Sequence, residues 1–234
     1  MRFVVDSKIF KRFDNPRIAV TVAKGADNTV EVSEIHSMTK DVIDQIRQNY
    51  KSETLSQQPK IAAWREAHRQ FGSKAKDYPS SVEALYKRVL RGDDIKPINP
   101  LVDIYNYISL KYMLTAGGED LDKMEGDLKL AFAGPNEASV TVLGKDEAQP
   151  PSKGEVFYKD SQGAICRRWN WREVARTMLT AETKNAVLVL EAVGHVTDEE
   201  LKQAQTELTK LVKQYCGGES KSQMVDKAQP IVEL

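Results

Sequence analysis

Two stretches of the sequence combine residue types that could bind a ligand or assist a hydrolysis. The first, INPLVDIYNYISLKYMLTAGGED (98–120), places Asp103 and Asn106 three residues apart in an apolar and aromatic run that ends on Gly117 and Gly118. Residues three apart share one face of a helix, and buried polar groups there need hydrogen-bond partners. Two interpretations stay open. Asp103 holds neighbouring backbone, or Asp103 and Asn106 line a pocket beside glycines that let the backbone approach a ligand closely.

The second stretch is CRRWNWRE (166–173), with three arginines, two tryptophans, an asparagine and a glutamate in eight residues. If it is a strand, its side chains alternate between two faces. One face then carries Arg168, Asn170 and Arg172. The other carries Arg167, Trp169, Trp171 and Glu173. Arginine interleaved with tryptophan is typical of sites that hold phosphates and stack bases. The alternative is packing of tryptophan rings on arginine stems at a sheet surface.

Several kinds of catalytic site have no support in the sequence. It contains no Walker loop, no GxGxxG after a strand, no GxSxG and no HExxH. His36, His68 and His195 are isolated, and Cys166 and Cys216 lack metal-ligand spacing. We therefore predict no metal and no cofactor.

Composition narrows the class of protein further. Of the 234 residues, 41% are apolar and 29% are charged, which is ordinary for a globular protein. The 34 basic and 34 acidic side chains cancel, which argues against a tight non-specific nucleic-acid binder and against DNA, but not against a transient RNA enzyme. No apolar run reaches the roughly 18 residues that cross a bilayer. A cytoplasmic location without membrane contact is expected.

The periodicity of apolar residues predicts which elements position the two stretches. A period of 3.6 predicts helices over about 31–50, 61–71, 80–91, 100–114 and 197–216. Short β-like runs are found at 3–5, 18–22, 128–133, 138–144, 155–160, 165–171 and 185–193. Helices dominate the first half and strands the second, so we predict a single α+β domain with helices packed on a mixed or antiparallel sheet.

The sequence also predicts where several helices begin and end. Ser80 with Glu83, and Thr197 with Glu200, are spaced as capping boxes. Asn99 followed by Pro100 predicts an N-cap and a first helical turn. Gly117 and Gly118 are expected to end the helix that begins there. The domain is expected over 1–218, with a polar tail at 219–234 that is partly ordered at best; a monomer is favoured.

Four blocks together resemble a known family. They are SSVEALYKRVLRG, INPLVDIYNYISLKYML, GGEDLDKMEGDLKLAFA and the stretch from VFYKD through CRRWNWRE to TKNAVLVLEAV. This pattern resembles the editing module (B-three/B-four) of the phenylalanyl-tRNA synthetase β chain, and more closely its freestanding single-domain relatives. The resemblance runs from about residue 60 to 215.

The resemblance implies an aminoacyl-tRNA deacylase that acts in trans on the 3′ end of mischarged tRNA, with a pocket between the helix end and the sheet. By position, Glu173 corresponds to the synthetase glutamate that reads the polar tip of the misloaded side chain. Gly117 falls where bacterial synthetase modules carry a histidine. This departure removes a candidate acid–base group and argues against synthetase-like specificity for tyrosine.

Roles for the remaining site residues follow as hypotheses from that implied reaction. Water is the expected nucleophile, with backbone N–H groups near Gly117 and Gly118 as oxyanion donors. Asn106 and Tyr105 would orient water or the ribose. The expected contacts to tRNA are Arg167, Arg168, Trp169 and Arg172.

The identity of the rejected amino acid is suggested by the acidic residues near both stretches. The expected substrate-binding residues are Asp103, Glu119, Asp120, Asn170 and Glu173. An acidic pocket suits a cationic or strongly donating side chain, and one branch of the freestanding relatives is associated with clearing canavanine from tRNA for arginine. Canavanyl-tRNA(Arg) is thus the leading substrate. The alternative is a non-catalytic module of the same fold that binds tRNA or a free amino acid.

Overall fold

Two β-sheets and six α-helices make up the computed structural model, which describes residues 1–234. The helices are α1 (Ser7–Arg12), α2 (Ser33–Asn49), α3 (Pro59–Gln70), α4 (Ser81–Leu90), α5 (Pro100–Tyr112) and α6 (Asp198–Cys216). The strands are β1 (Arg2–Val5), β2 (Arg17–Lys24), β3 (Thr115–Asp120), β4 (Leu128–Phe132), β5 (Val156–Lys159), β6 (Ala164–Arg167), β7 (Arg172–Glu173), β8 (Ala186–Ala192), β9 (Glu219–Val225) and β10 (Ile231–Glu233).

The two sheets differ in strand direction. The six-stranded sheet has the order β10-β1-β4-β5-β6-β7 and is mixed, because β1 and β4 are parallel. The four-stranded sheet has the order β3-β8-β2-β9 and is antiparallel throughout. Helices α5 and α6 pack against each other and against the four-stranded sheet. The predicted α+β fold with helices on mixed and antiparallel sheets is confirmed.

Helix α5 is the buried helix that its sequence predicts. Asn99 accepts a hydrogen bond from the Val102 N–H as N-cap, and Pro100 occupies the first turn. Nearly every side chain from Pro100 to Leu110 is buried, because α2, α4, α6 and β3 surround the helix. Because α5 is packed on most sides, the positions of its side chains that face the site are fixed.

One predicted capping box is half formed, with the Glu200 carboxylate paired to Lys60 instead of the Thr197 N–H, and the other is absent. Thr197 accepts from the Glu200 N–H at the start of α6. Ser80, by contrast, makes no side-chain cap bond. The Glu83 carboxylate instead forms ion pairs with Arg65 (2.5 Å) and Lys87 (2.7 Å). A buried carboxylate is stabilised more by two cations than by one backbone N–H, so the tertiary pairing prevails over the local motif.

Three other expectations about elements are wrong. The helix before the glycines ends at Met113, which adopts a left-handed φ of 51°, and Gly117 and Gly118 lie inside β3, opposite Val189 and Leu188. Residues 138–144 form only isolated bridges. The C-terminal residues are ordered, since β9 pairs with β2 along its whole length and β10 pairs with β1. Their polar side chains gave no strand signal, because β9 is a largely exposed edge strand whose order comes from backbone pairing.

No helix of the structure combines the length and the apolar character that crossing a bilayer requires.

Candidate functional site

A cavity of about 360 Å³ lies where α4, α5, β3 and β8 meet the segment from β6 to β7. It brings together residues from both sequence stretches, the first of which ends at residue 120 and the second of which begins at residue 166. The predicted site residues that line it are Tyr105, Asn106, Gly117, Gly118, Glu119, Trp169, Asn170, Arg172 and Glu173. The structure therefore joins α5, β3 and β7 into one site.

The two glycines allow β3 to run directly under this cavity. A Cβ on Gly118 would lie 2.6 Å from Cδ2 of Leu188, and one on Gly117 would lie 3.3 Å from Oε1 of Glu173. Because β3 is an edge strand, alternate backbone groups point away from β8. The Ala116 carbonyl accepts from the Ser81 hydroxyl at 3.4 Å and so points away. By alternation the Gly118 N–H points away from β8 as well, toward Glu173.

Two carboxyl groups, Glu119 and Glu173, lie at the base of the cavity. Glu119 is only 8% exposed, and its Oε2 has no hydrogen-bond partner. Burial raises the pKa of Glu173 to about 7, with the Gly118 N–H opposing the rise. Burial and the neighbouring charge of Glu173 raise the pKa of Glu119 well above its usual range. At neutral pH the pair therefore retains protons that ordinary carboxyl groups would lose.

The Tyr105 hydroxyl shares this environment. Burial, reinforced by the charges of Glu173 and Glu119, raises the pKa of Tyr105 well above its usual range. The phenol consequently keeps its proton and can serve as a hydrogen-bond donor to a ligand in the cavity that it lines.

The raised pKa of Glu173 predicts how the free energy of unfolding depends on pH. Its ordinary pKa of 4.5 rises to about 7 in the folded chain, so between these values the folded state holds a proton that the unfolded state has lost. Stability must then fall as pH rises through this window. Relative to Glu173→Gln, which cannot titrate, the wild type should lose on the order of 1–3 kcal/mol between about pH 4 and about pH 8. Urea unfolding of both proteins across this range measures the difference, and two parallel stability curves would contradict it.

The back wall of the cavity is a buried hydrogen-bond network around Glu191. Its Oε1 accepts from the Tyr158 hydroxyl (2.5 Å) and from Nε1 of Trp169 (2.8 Å), and its Oε2 accepts from Nδ2 of Asn170 (2.9 Å). Oδ1 of Asn170 contacts Nε2 of His68 at 3.2 Å. Burial lowers the pKa of His68 to about 4, so its ring is neutral. Asn170 is thus held from both sides in its place on the cavity wall.

Sequence reasoning missed Glu191, although a signal was present. It is the only charged residue within NAVLVLEAV, an otherwise apolar strand sequence. A carboxylate in such a strand is stabilised only by several donors, which is how the structure accommodates it.

The expected strand alternation of CRRWNWRE is wrong, because the chain reverses direction within it. Arg168 and Trp169 adopt left-handed φ angles of 50° and 65° between β6 and β7. Arg167 consequently points inward and pairs with Glu155 at 2.6 Å. The Trp169 side chain is 1% exposed and packs edge-on against Trp64 at 5.0 Å. The predicted tRNA contacts of Arg167 and Trp169 are therefore wrong, since both side chains are buried in the interior.

Arg168 and Arg172 remain nearer the surface. The Arg168 guanidinium lies over the Tyr78 ring, 3.7 Å from its centroid. Arg172 is exposed, lines the cavity and donates to the Leu143 carbonyl at 2.9 Å.

Two of the four expected pocket carboxylates lie elsewhere. Asp103 accepts from the Ile98 N–H (2.9 Å), contacts Nε2 of His36 (2.9 Å) and lines a separate cavity of about 180 Å³. This agrees with the first interpretation, in which Asp103 holds neighbouring backbone. Asp120 accepts from the Thr183 hydroxyl at 2.7 Å, because adjacent residues of β3 point to opposite faces. Of the four expected carboxylates, only Glu119 and Glu173 line the main cavity.

No group of three or more His, Cys, Asp and Glu side chains is arranged to hold a metal ion.

The family model and the curated relative agree with the motif blocks. The sequence model described as the B3/4 domain matches residues 63–217. The phenylalanine–tRNA ligase β subunit of Fusobacterium nucleatum is 30% identical over 128 residues, which cover 52% of this chain and 14% of that protein. This chain thus spans a small part of the curated relative. A solved N-terminal fragment of the phenylalanyl-tRNA synthetase β subunit from Pyrococcus horikoshii superposes with a TM-score of 0.48 at 12% identity, covering 96% of this chain and 53% of the fragment.

Proposed function

The chain belongs to the B3/4 domain family, and from that premise we propose that it hydrolyses the ester of a mischarged amino acid on tRNA. The relative that matches by sequence is a tRNA ligase subunit, which supports a tRNA substrate. The observation that carries the proposal is the distribution of charge in the main cavity. Glu119 and Glu173 lie at its base, whereas Arg88 and Arg172 line it as exposed side chains. An acidic interior with a basic opening is complementary to an aminoacyl ester whose ammonium group enters and whose phosphates stay outside.

The chemistry requires few protein groups. A water molecule attacks the ester carbonyl, and the oxyanion that forms needs a hydrogen-bond donor aimed at it. The Gly118 N–H is the candidate donor, and because it points toward Glu173, the oxyanion would take this donor over from the Glu173 carboxylate. Tyr105 supplies a protonated hydroxyl, and Asn106 supplies an amide on the same helix. We assign these two to orienting the water or the terminal ribose, since correct positioning alone contributes a large part of such a rate enhancement.

The base of the cavity favours a cationic side chain on the rejected amino acid. One oxygen of Glu119 is buried without a hydrogen-bond partner. Arg176, the arginine whose charge acts on Glu119, is already paired with Asp160 at 2.8 Å. A guanidinium-type group entering the cavity would donate to both carboxylates and lower their pKa values toward the ionised state. Canavanyl-tRNA(Arg) remains the leading substrate, with two carboxylates rather than four to recognise it.

A panel of mischarged tRNAs tests this function. We expect the wild-type protein at micromolar concentration to hydrolyse canavanyl-tRNA(Arg) faster than tyrosyl-tRNA(Phe), as measured by loss of acid-precipitable radiolabelled amino acid. Arginyl-tRNA(Arg), assayed alongside, measures whether the pocket separates the two guanidinium-type side chains. Each ester incubated without protein is the control for spontaneous hydrolysis. Absence of hydrolysis for every ester would refute the enzymatic proposal.

The second candidate is a non-catalytic module of the same fold that binds tRNA or a free amino acid. It is favoured by the lack of an activated nucleophile, because burial raises the pKa of the Cys166 thiol, which lines the cavity, well above its usual range. No histidine lines the cavity either. Binding of the same tRNAs without ester hydrolysis would establish this candidate.

A further inference from the structure

Five side chains form a rim where the main cavity opens to the surface. These are Tyr78, Arg88, Arg168, Trp171 and Arg172, called here the arginine–aromatic rim. Trp171, Arg88 and Arg172 line the cavity directly. The Tyr78 ring meets Trp171 edge-on at 4.8 Å, and Arg168 lies over Tyr78. The Arg172 guanidinium carbon is 5.5 Å from the centre of the Trp171 ring. The two contacting aromatic rings are thus flanked by guanidinium groups, Arg168 on the Tyr78 side and Arg172 on the Trp171 side.

The positive charge of this rim is not neutralised within the chain. Arg88, Arg168 and Arg172 form no ion pair, although neighbouring cations do: Arg65 and Lys87 pair with Glu83. Nε of Arg168 is buried without any hydrogen-bond partner. In a chain of zero net charge, three arginines together without a carboxylate partner indicate a surface that meets an anion.

Trp171 differs from the other two tryptophans. Trp64 and Trp169 are 2% and 1% exposed and belong to the core. Trp171 is half-buried and borders the cavity. An indole at an opening surrounded by unpaired arginines is the combination that binds single-stranded nucleic acid, by base stacking and phosphate contacts.

From these observations we propose that the arginine–aromatic rim binds the single-stranded 3′ end of the tRNA. A base stacks on Trp171, and Arg88 and Arg172 contact phosphates. Arg168 is a positioning residue that holds the Tyr78 ring against Trp171. The assignment rests on the proposed function, because a nucleotide attached to an ester inside the cavity must cross its opening. A stack on Trp171 and phosphates on Arg88 are not implied by the family resemblance; they follow from the geometry of the rim.

Intrinsic fluorescence of the full chain tests the rim directly. The probe is an uncharged RNA hairpin that ends in the unpaired tRNA 3′ nucleotides, compared with the same hairpin lacking them. We expect the first hairpin to quench tryptophan emission and the second not to, because only Trp171 is placed to stack on a base. Free adenosine monophosphate is a third ligand. Equal quenching by this ligand at the same concentration would show that the rim binds a single nucleotide without the rest of the tRNA, and would overturn the tRNA assignment.

Variants identify the contributions of individual side chains. Trp171→Ala should weaken binding of the overhang hairpin by about tenfold or more, within the range for loss of one base–aromatic stack, whereas Trp171→Phe should retain most of the affinity. Arg88→Ala should lower the slope of log Kd against log salt by about 0.7 per lost phosphate contact. The matched control is Arg91→Ala at the C-cap of the same helix, whose arginine is near Asp93 (3.7 Å) and does not line the cavity.

The outcomes separate this proposal from the proposed function. Wild-type affinity in both Trp171→Ala and Arg88→Ala would overturn the rim while leaving ester hydrolysis by the wild type intact. Overhang-dependent quenching by a protein that hydrolyses no ester would support the rim and refute the deacylase. If Trp171→Ala fails to fold, the salt dependence of Arg88→Ala and Arg172→Ala decides alone.

Discussion

Replacing Glu173 with glutamine is expected to lower kcat/KM for the cationic aminoacyl ester by about 100-fold, since removing one charge of a buried pair costs about 2–5 kcal/mol. Glutamine keeps the shape of the side chain and an oxygen that faces the Gly118 N–H, but it cannot provide a negative charge. The substrate cation would then meet only Glu119. Esters of neutral amino acids should lose far less, so that the main effect is a loss of selectivity.

The measurement is kcat/KM of wild type and Glu173→Gln for canavanyl-tRNA(Arg) and for one neutral mischarged ester. Asp103→Asn is the matched control, because Asp103 lies on the neighbouring cavity and an asparagine oxygen still accepts from the Ile98 N–H. It should stay within about twofold of the wild type, as expected for a group outside the charged pair. Unchanged activity and selectivity in Glu173→Gln would show that the specificity residue is misplaced.

Replacing Glu191 with alanine is expected to produce the largest loss of stability, about 3–5 kcal/mol, as for breaking a buried charged network. The substitution leaves the Tyr158 hydroxyl, the Trp169 indole N–H and the Asn170 amide without their acceptor. Each is buried away from water, so the lost hydrogen bonds are not replaced. Trp169 and Asn170 also line the cavity, and we expect esterase activity to fall along with stability.

Urea unfolding of Glu191→Ala at neutral pH measures this loss, and Glu207→Ala is an informative control. Glu207 also accepts from three groups, Tyr107, Lys111 and Tyr112, but its side chain is 21% exposed. Water can replace it, so a loss of only about 1 kcal/mol is expected there. Equal losses in the two variants would show that the network around Glu191 has no special role in stability.

The elements of the fold could be predicted to very different degrees. Helices α2, α5 and α6 were correctly predicted because each buries a continuous apolar face, and that periodicity is local in sequence. The N-caps Asn99 and Thr197 are local for the same reason. Strand β9 was missed because an edge strand with exposed polar side chains has no apolar alternation, and its order depends on pairing with a distant strand.

The site shows the same division more sharply. The sequence by itself determined which two stretches contribute to the site. The residue types suited to binding and hydrolysis were already grouped in them: Tyr105, Asn106, the two glycines and Glu173. It could not determine which side chains within a block face the cavity.

Only the tertiary structure decided that question, through two conformational facts. The left-handed turn at Arg168 and Trp169 sends Arg167 and Trp169 inward and leaves Trp171 at the opening. The placement of Gly117 and Gly118 in β3 directs Glu119 into the cavity and Asp120 away from it. Both depend on long-range packing: a non-glycine residue adopts a positive φ only when its surroundings compensate the strain, and the face of a strand is set by its partner.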